Sequence, residues 1–95
     1  MEFNNDDKAY LQWLDNNPKG FVINMQRSKS TSYMILHRAT CNTIANRLRY
    51  PEGAYTEREY IKICATQITD LRNWARQHGR IDGLAGSECS RCNPE

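Results

Sequence analysis

The chain has 95 residues, a formal net charge of +2 and 39% hydrophobic residues, which is enough for one modest hydrophobic core. Its start is polar and acidic, and no run of 18 apolar residues occurs, so neither secretion nor membrane insertion is indicated. We therefore expect a single cytoplasmic domain over residues 1–95, with residues 1–4 and 93–95 flexible. Four cysteines in such a chain are expected to be free thiols or metal ligands, because the cytoplasm keeps thiols reduced.

The first half of the chain predicts a helix followed by a β-hairpin. Asn5 or Asp6 can cap a helix that extends to about Asp15, and the Asn-Asn-Pro sequence after it should end that helix. Residues 21–27 alternate apolar and polar side chains with the period of a half-buried strand. A polar loop of hairpin length over 27–31 then leads to a second strand, residues 33 to 37 or 38, which should pair antiparallel with the first.

The second half predicts helix, strand and helix. Thr40 can cap a helix, and the apolar residues of that helix recur at helical spacing: Cys41, Ile44, Ala45 and Leu48. Residues 58–65 are assigned to a strand because they alternate and are rich in β-branched side chains, although Thr56 and Glu59 also fit the start of one long helix to His78. Thr66 then caps a last helix, with Gly79 as its stop. The order predicts an α+β fold with a three-stranded antiparallel sheet packed by about three helices.

The cysteines and histidines predict a zinc site. Cys89 and Cys92 form a C-x-x-C pair, the spacing at which two thiolates occupy adjacent corners of a zinc tetrahedron. Cys41 is the predicted third ligand, because the start of a helix favours a thiolate. His37 is the predicted fourth, with Cys64 a nearly equal alternative. Four protein ligands would make the zinc structural rather than catalytic, and no pattern typical of an enzyme active site occurs.

The distribution of charge indicates an anionic partner. Residues 18–50 carry six basic residues and no acid, and nine of the thirteen cations in the chain are arginines, which suit bidentate contact with phosphate. Three arginines recur every four residues near the last helix, and tyrosines at 33, 50 and 55 offer stacking surfaces. The predicted nucleic-acid-binding residues are Arg27, Lys29, Arg38, Arg47, Arg49, Arg72, Arg76 and Arg80.

Several short motifs together resemble a small prokaryotic domain with an LHRA-x-C core. The motifs are GFVIN, YMILHRATC, T-x-x-x-Y-x-K-x-C, L-x-x-W-A and the terminal C-x-x-C, and they cover residues 20–93. Such domains occur as stand-alone proteins and beside restriction-type nucleases, so the resemblance implies a zinc-supported reader of nucleic acid. The positions that the resemblance marks are Gly20, Asn24, His37, Arg38, Cys41, Lys62, Cys64, Trp74, Cys89 and Cys92.

The sequence therefore predicts a zinc-stabilised nucleic-acid-binding module, and the resemblance implies a reader or accessory domain in a host-defence or restriction context. DNA is favoured over RNA as the partner, and no membrane is expected. The alternative is a protein-interaction or regulatory module, for example of the toxin-antitoxin type, whose basic face meets an acidic protein. An enzymatic role is not expected.

Overall fold

Residues 1–94 are described by a computed structural model, and they form a small α+β fold as predicted. The described chain contains four strands and three helices: β1 (Glu2–Phe3), α1 (Asp7–Asn16), β2 (Phe21–Gln26), β3 (Met34–Arg38), α2 (Asn42–Ala45), β4 (Tyr60–Ala65) and α3 (Ile68–Gln77). Neither α1 nor α3, each ten residues long, has the length and apolarity to cross a bilayer, and α2 is shorter still.

The sheet has four antiparallel strands in the order β1-β4-β2-β3, whereas three strands were predicted. The additional strand is β1, which pairs with β4 and places Phe3 opposite Lys62. The amino group of Met1 also donates a hydrogen bond to the Cys64 carbonyl at 2.8 Å. Residues 1–4, predicted to be flexible, thus include one edge of the sheet. The corresponding prediction for residues 93–95 extends to residue 95, which lies outside the described residues.

The central strand β2 is covered on both faces, so the prediction of a half-buried strand was wrong. Val22 and Ile23 are adjacent, point to opposite faces and are both fully buried. On one face, Val22 belongs to a core cluster that includes Tyr10 and Leu14 of α1. On the other face, Ile23 belongs to a second cluster that includes residues of α3. The sheet is therefore the middle layer between α1 and α3, and the α1 side also carries the candidate site.

The register of β2 determines which side chains share the α1 side of the sheet. Val22 lies opposite both His37 and Cys64, and Asn24 lies opposite Lys62. Paired residues of an antiparallel ladder point to the same face. These five side chains, three of them polar or charged and one a thiol, therefore project from one face of the sheet.

Two predicted helices differ from the structure. The helix predicted to begin at Cys41 covers only the four residues Asn42–Ala45, and Leu48, predicted to lie on its apolar face, is fully exposed. The last helix ends at Gln77, so Arg80 lies beyond it and does not continue a helical row with Arg72 and Arg76. In both segments the local pattern suits a helix, but tertiary packing covers only part of it.

The polar tail is joined to the sheet beside β3. The amide of Leu36 donates to the Ser87 carbonyl at 2.9 Å, and the amide of Cys89 donates to the Leu36 carbonyl at 2.8 Å. These two bonds form a parallel bridge between Leu36 and Glu88. Upstream, Leu84 is fully buried in the α3-side core. The tail is thereby held at the open edge of β3, next to His37.

Candidate metal centre and adjoining surface

One histidine and three cysteines meet where β3 ends, α2 begins and the tail crosses. The ligand atoms of His37, Cys41, Cys89 and Cys92 all lie within 4.8 Å of one another, and the Cys41 and Cys89 sulfurs are 3.9 Å apart. Two thiolates on a tetrahedral zinc, each about 2.3 Å from the ion, are separated by roughly 3.8 Å. The four residues can therefore hold a metal ion, and their donor set and spacing suit zinc.

Each ligand is positioned by a different local feature. His37 is on β3 and faces the α1 side, and Cys41 is the N-terminal cap residue of α2. Cys89 begins the final turn immediately after the bridge to Leu36. Because that bridge brings the C-x-x-C pair alongside β3, residues 48 positions apart in sequence become neighbours.

Backbone N–H groups point at the sulfurs of the C-x-x-C turn. Burial alone would raise the pKa of Cys89, but the N–H groups of Cys92 and Arg91 lower it below its ordinary value, with help from the Cys92 and Cys41 side chains. The Arg38 amide donates to the Cys92 sulfur at 3.3 Å. Burial nevertheless raises the pKa of Cys92 to about 12, and the adjacent Cys41 and Cys89 thiols add to that rise. Burial and the neighbouring thiols thus disfavour the Cys92 thiolate, and a bound metal ion would compensate for this.

The surroundings of His37 favour its neutral form, in which an imidazole can bind a metal ion. It is 3% exposed, and its Nδ1 is buried without a hydrogen-bond partner among the described residues. Burial, together with the nearby charge of Lys62, lowers the pKa of His37 to about 4. A neutral imidazole with an unsatisfied buried nitrogen is costly by itself, whereas a metal ion would satisfy it.

Cys64, the alternative fourth ligand, is not part of this cluster. It is 1% exposed in the α1-side core, and burial raises the pKa of its thiol to about 12, against the opposing charges of the N-terminus and Lys62. Its surroundings are those of a small buried hydrophobic residue. Among residues 1–94, the geometry therefore favours His37 over Cys64.

Most of the eight predicted nucleic-acid-binding cations are engaged within the chain. Arg27 donates to Asn4, Asn5 and two backbone carbonyls, while Lys29 pairs with Glu2 and Arg47 with Asp15. The three residues of the predicted row are also engaged, since Arg72 pairs with Glu88, Arg80 with Asp82, and Arg76 donates to Asn73. These contacts hold loops in place.

Arg38 and Arg49 lie instead around a depression beside α2, which we call the α2 groove. The Arg38 Nε donates to the Cys92 and Asn93 carbonyls at 2.9 and 3.0 Å, so this residue also holds the C-x-x-C turn in place. Arg91, which was not predicted, is exposed and its guanidinium makes no hydrogen bond or ion pair within the described chain. We define the α2 groove by six of its lining residues: Arg38, Asn42, Thr43, Arg49, Tyr50 and Arg91.

The α2 groove adjoins a second cavity of about 230 Å³, since Thr43 and Tyr50 line both. We call this cavity the Lys62 pocket and define it by six of its lining residues: Asn24, Tyr33, Tyr50, Tyr55, Tyr60 and Lys62. Its floor is the α1 side of the sheet, and α2 and the following loop cover it. No aspartate or glutamate among the described residues lines either the pocket or the groove.

The loop that covers the Lys62 pocket is fixed by Asp7 at the start of α1. The buried Asp7 carboxylate accepts hydrogen bonds from the Thr56 amide and hydroxyl, both at 2.7 Å, and from the Tyr55 amide at 3.3 Å. The Lys62 ammonium in turn donates to the Tyr55 carbonyl at 2.6 Å. Tyr55 is thereby held over the pocket.

Lys62 belongs to this surface, although no motif in the sequence assigned it a functional role. It is 3% exposed, and burial lowers its pKa to about 8, although the charges of Asp7 and Cys64 oppose that shift. The resemblance marked Lys62 and Asn24 as positions of interest but assigned them no role. A lysine in the middle of the apolar YIKICA strand was the available signal, because a central strand has no solvated face for it.

No protein-family model, no curated protein and no solved structure matches this chain. We therefore infer function from the geometry of the cluster of one histidine and three cysteines, the α2 groove and the Lys62 pocket.

Proposed function

We propose that this protein is a zinc-stabilised module that binds nucleic acid in the α2 groove. The observation that carries the proposal is the composition of this surface. Three arginines surround an acid-free depression that continues past Tyr50 into a pocket with further tyrosines. Arginines supply phosphate contacts and tyrosines supply faces on which bases stack, so both parts of a nucleotide find complementary groups.

In this proposal zinc has a structural role. Three thiolates and one imidazole fill four positions, which leaves none for a substrate. The ion would tie the tail to β3 and α2, and so hold Arg91 and Arg38 at the groove. Binding of the metal would then be part of the folding free energy of the protein.

The biological context belongs to the same proposal. The LHRA-x-C motifs suggest a reader or accessory domain in a host-defence or restriction system, acting in the cytoplasm on DNA in preference to RNA. The competing role is a regulatory module that binds an acidic protein. A stacking surface is of little use to an acidic peptide, so the tyrosines beside the arginines support the nucleic-acid role.

The direct test is binding of labelled single- and double-stranded DNA and RNA to the zinc-loaded protein at about 50 mM salt, where phosphate contacts are strong. We expect measurable binding, and Arg91→Ala should weaken it. Arg76→Ala is the matched control, since Arg76 is exposed but lies on α3, on the opposite side of the sheet. Absence of binding to every nucleic acid would overturn the proposal, and binding of an acidic protein under the same conditions would favour the regulatory alternative.

A further inference from the structure

The Lys62 pocket contains polar groups that the fold leaves without partners. The Tyr55 hydroxyl and the Asn24 Oδ1 are buried and make no hydrogen bond within the described chain, and Tyr55 as a whole is only 5% exposed. Both residues line the pocket. Buried polar atoms are nearly always paired in folded proteins, so two orphans in one cavity point to a ligand that pairs with them.

Lys62 adds a buried cation to the same cavity. Its ammonium makes one hydrogen bond within residues 1–94, to the Tyr55 carbonyl, although an ammonium can donate three. Asn24 is its direct cross-strand partner on the same face of the sheet. A donor and an acceptor thus lie side by side on the pocket floor, which matches the adjacent acceptor and donor atoms on the edge of a nucleobase.

The walls and the size of the pocket narrow the choice of ligand. Tyr33 and Tyr60 form one aromatic pair and Tyr50 and Tyr55 another, each with ring centroids 5.6 Å apart. The volume of about 230 Å³ is below the roughly 300 to 1,000 Å³ typical of sites for drug-sized ligands. The pocket therefore suits one planar, polar ring system rather than a larger molecule.

We propose that the Lys62 pocket receives a single nucleobase, stacked on tyrosine and hydrogen-bonded to Lys62 and Asn24. This inference rests on the proposed function, because the adjoining α2 groove would hold the phosphates on either side of that base. The base would be unstacked from its strand, which costs least in single-stranded or mismatched nucleic acid. The same chemistry also suits a free nucleotide, and the experiment distinguishes these two sources.

The test compares two ligands of equal charge and length: a short single-stranded oligonucleotide and an all-abasic phosphodiester. The zinc-loaded wild type should bind the oligonucleotide about tenfold more tightly or better, as expected for one stacked and hydrogen-bonded base. Lys62→Met should remove most of that preference. Arg91→Ala should weaken both ligands by a similar factor and keep the preference, because it removes only a phosphate contact.

Asn24→Ala tests the same hydrogen bonding to the base if Lys62→Met does not fold. The thermal unfolding midpoint of each variant shows whether it is folded. A preference for the oligonucleotide that survives in both folded variants would overturn the pocket while leaving nucleic-acid binding in the α2 groove intact. Failure of the wild type to bind either polymer would instead overturn the proposed function. In that case, binding of nucleoside monophosphates to the wild type but not to Lys62→Met would still support a nucleobase pocket. If the wild type does not bind nucleoside monophosphates either, the nucleobase pocket is overturned as well.

Discussion

Lys62 lowers the stability of the fold but supplies a buried cation to the Lys62 pocket. Its ammonium is buried among strands, and the nearest compensating carboxylate, Asp7, is already engaged with Tyr55 and Thr56. The ammonium has a carbonyl and the rings of Tyr10 and Tyr60 as its partners, but no ion pair with a carboxylate, and burial of such a charge lowers stability. An apolar residue would pack here at lower cost, so a binding role offers the better account of a lysine at this position.

Replacement of Lys62 by Met should therefore stabilise the protein near neutral pH. Burial lowers the Lys62 pKa from 10.5 to about 8, so the unfolded chain binds more protons than the folded chain between these values. Stability should rise with pH through that window, by up to roughly 3 kcal/mol from this residue alone. Urea unfolding of wild type and Lys62→Met at pH 7 and 9.5 should show the variant more stable at pH 7 and the difference shrinking at pH 9.5. A difference that is constant with pH would contradict this account.

The fourth metal ligand can be tested with single substitutions. His37→Ala should abolish stoichiometric zinc binding, while His37→Cys should restore it by completing a four-cysteine site. Cys64→Ala should retain one zinc per chain and cost about 1 kcal/mol of stability for the small cavity. Metal content after dialysis, together with the visible spectrum of the cobalt-substituted protein, measures the outcome. Loss of metal from Cys64→Ala with retention in His37→Ala would assign the ligand to Cys64 instead.

At the scale of the element, the tail is held by α3 as well as by its bridge to β3. Arg72 donates to the Gly83 carbonyl at 2.8 Å and pairs with Glu88 at 2.9 Å, with both side chains largely shielded from solvent. Glu88 is the bridge partner of Leu36 and precedes Cys89. Arg72, which was predicted to contact nucleic acid, therefore also stabilises the segment that leads to the C-x-x-C turn.

Substitution of Arg72 by Met should accordingly destabilise the protein by about 1 to 3 kcal/mol. The Gly83 carbonyl loses its hydrogen bond from Arg72, and the half-buried Glu88 carboxylate loses its ion pair while it keeps the Gly86 amide as a donor. Zinc should also be released more readily in competition with a chelator. Arg76→Met, one turn further along α3, should cost less than about 0.5 kcal/mol, since Arg76 is exposed and donates only to Asn73. Equal effects of the two substitutions would show that the tail does not depend on Arg72.

Local patterns in the sequence predicted the regular elements well but not their extent. The cap at Asp6 is present, with its carboxylate accepting the Ala9 amide at 3.0 Å, and β2 and β3 lie close to their predicted positions. By contrast, β1 is two residues long and exists only because β4 offers an open edge, which no local pattern reveals. The one-turn length of α2 is likewise a tertiary effect, because Leu48 fits the helical spacing and yet contacts no core.

The candidate site was predictable to a similar degree. Cysteine spacing and residue chemistry selected Cys41, Cys89 and Cys92, since a C-x-x-C pair needs partners elsewhere in the chain, but they left His37 and Cys64 nearly equal as the fourth ligand. The structure brings His37, and not Cys64, to the three cysteines. The Lys62 pocket was not predictable, because it depends on the register that places Asn24 opposite Lys62 and on the loop that Asp7 holds over both. Charge patterning was also unable to separate cations that brace the fold from cations that face solvent.

At the scale of the whole molecule, the number of cations that are free to contact phosphate has a measurable consequence for nucleic-acid binding. Eight contacting cations would give a slope of log K against log salt near −7 on double-stranded DNA, whereas the three arginines of the α2 groove would give about −3, or about −2 on a single strand. We expect the shallower slope, and Arg91→Ala should reduce its magnitude by about 1. Titration of labelled DNA over several salt concentrations measures both values, with Arg76→Ala as the control that leaves the slope unchanged. A slope near −7 would mean that arginines now paired within the fold exchange those partners for phosphate, and that the binding surface extends well beyond α2.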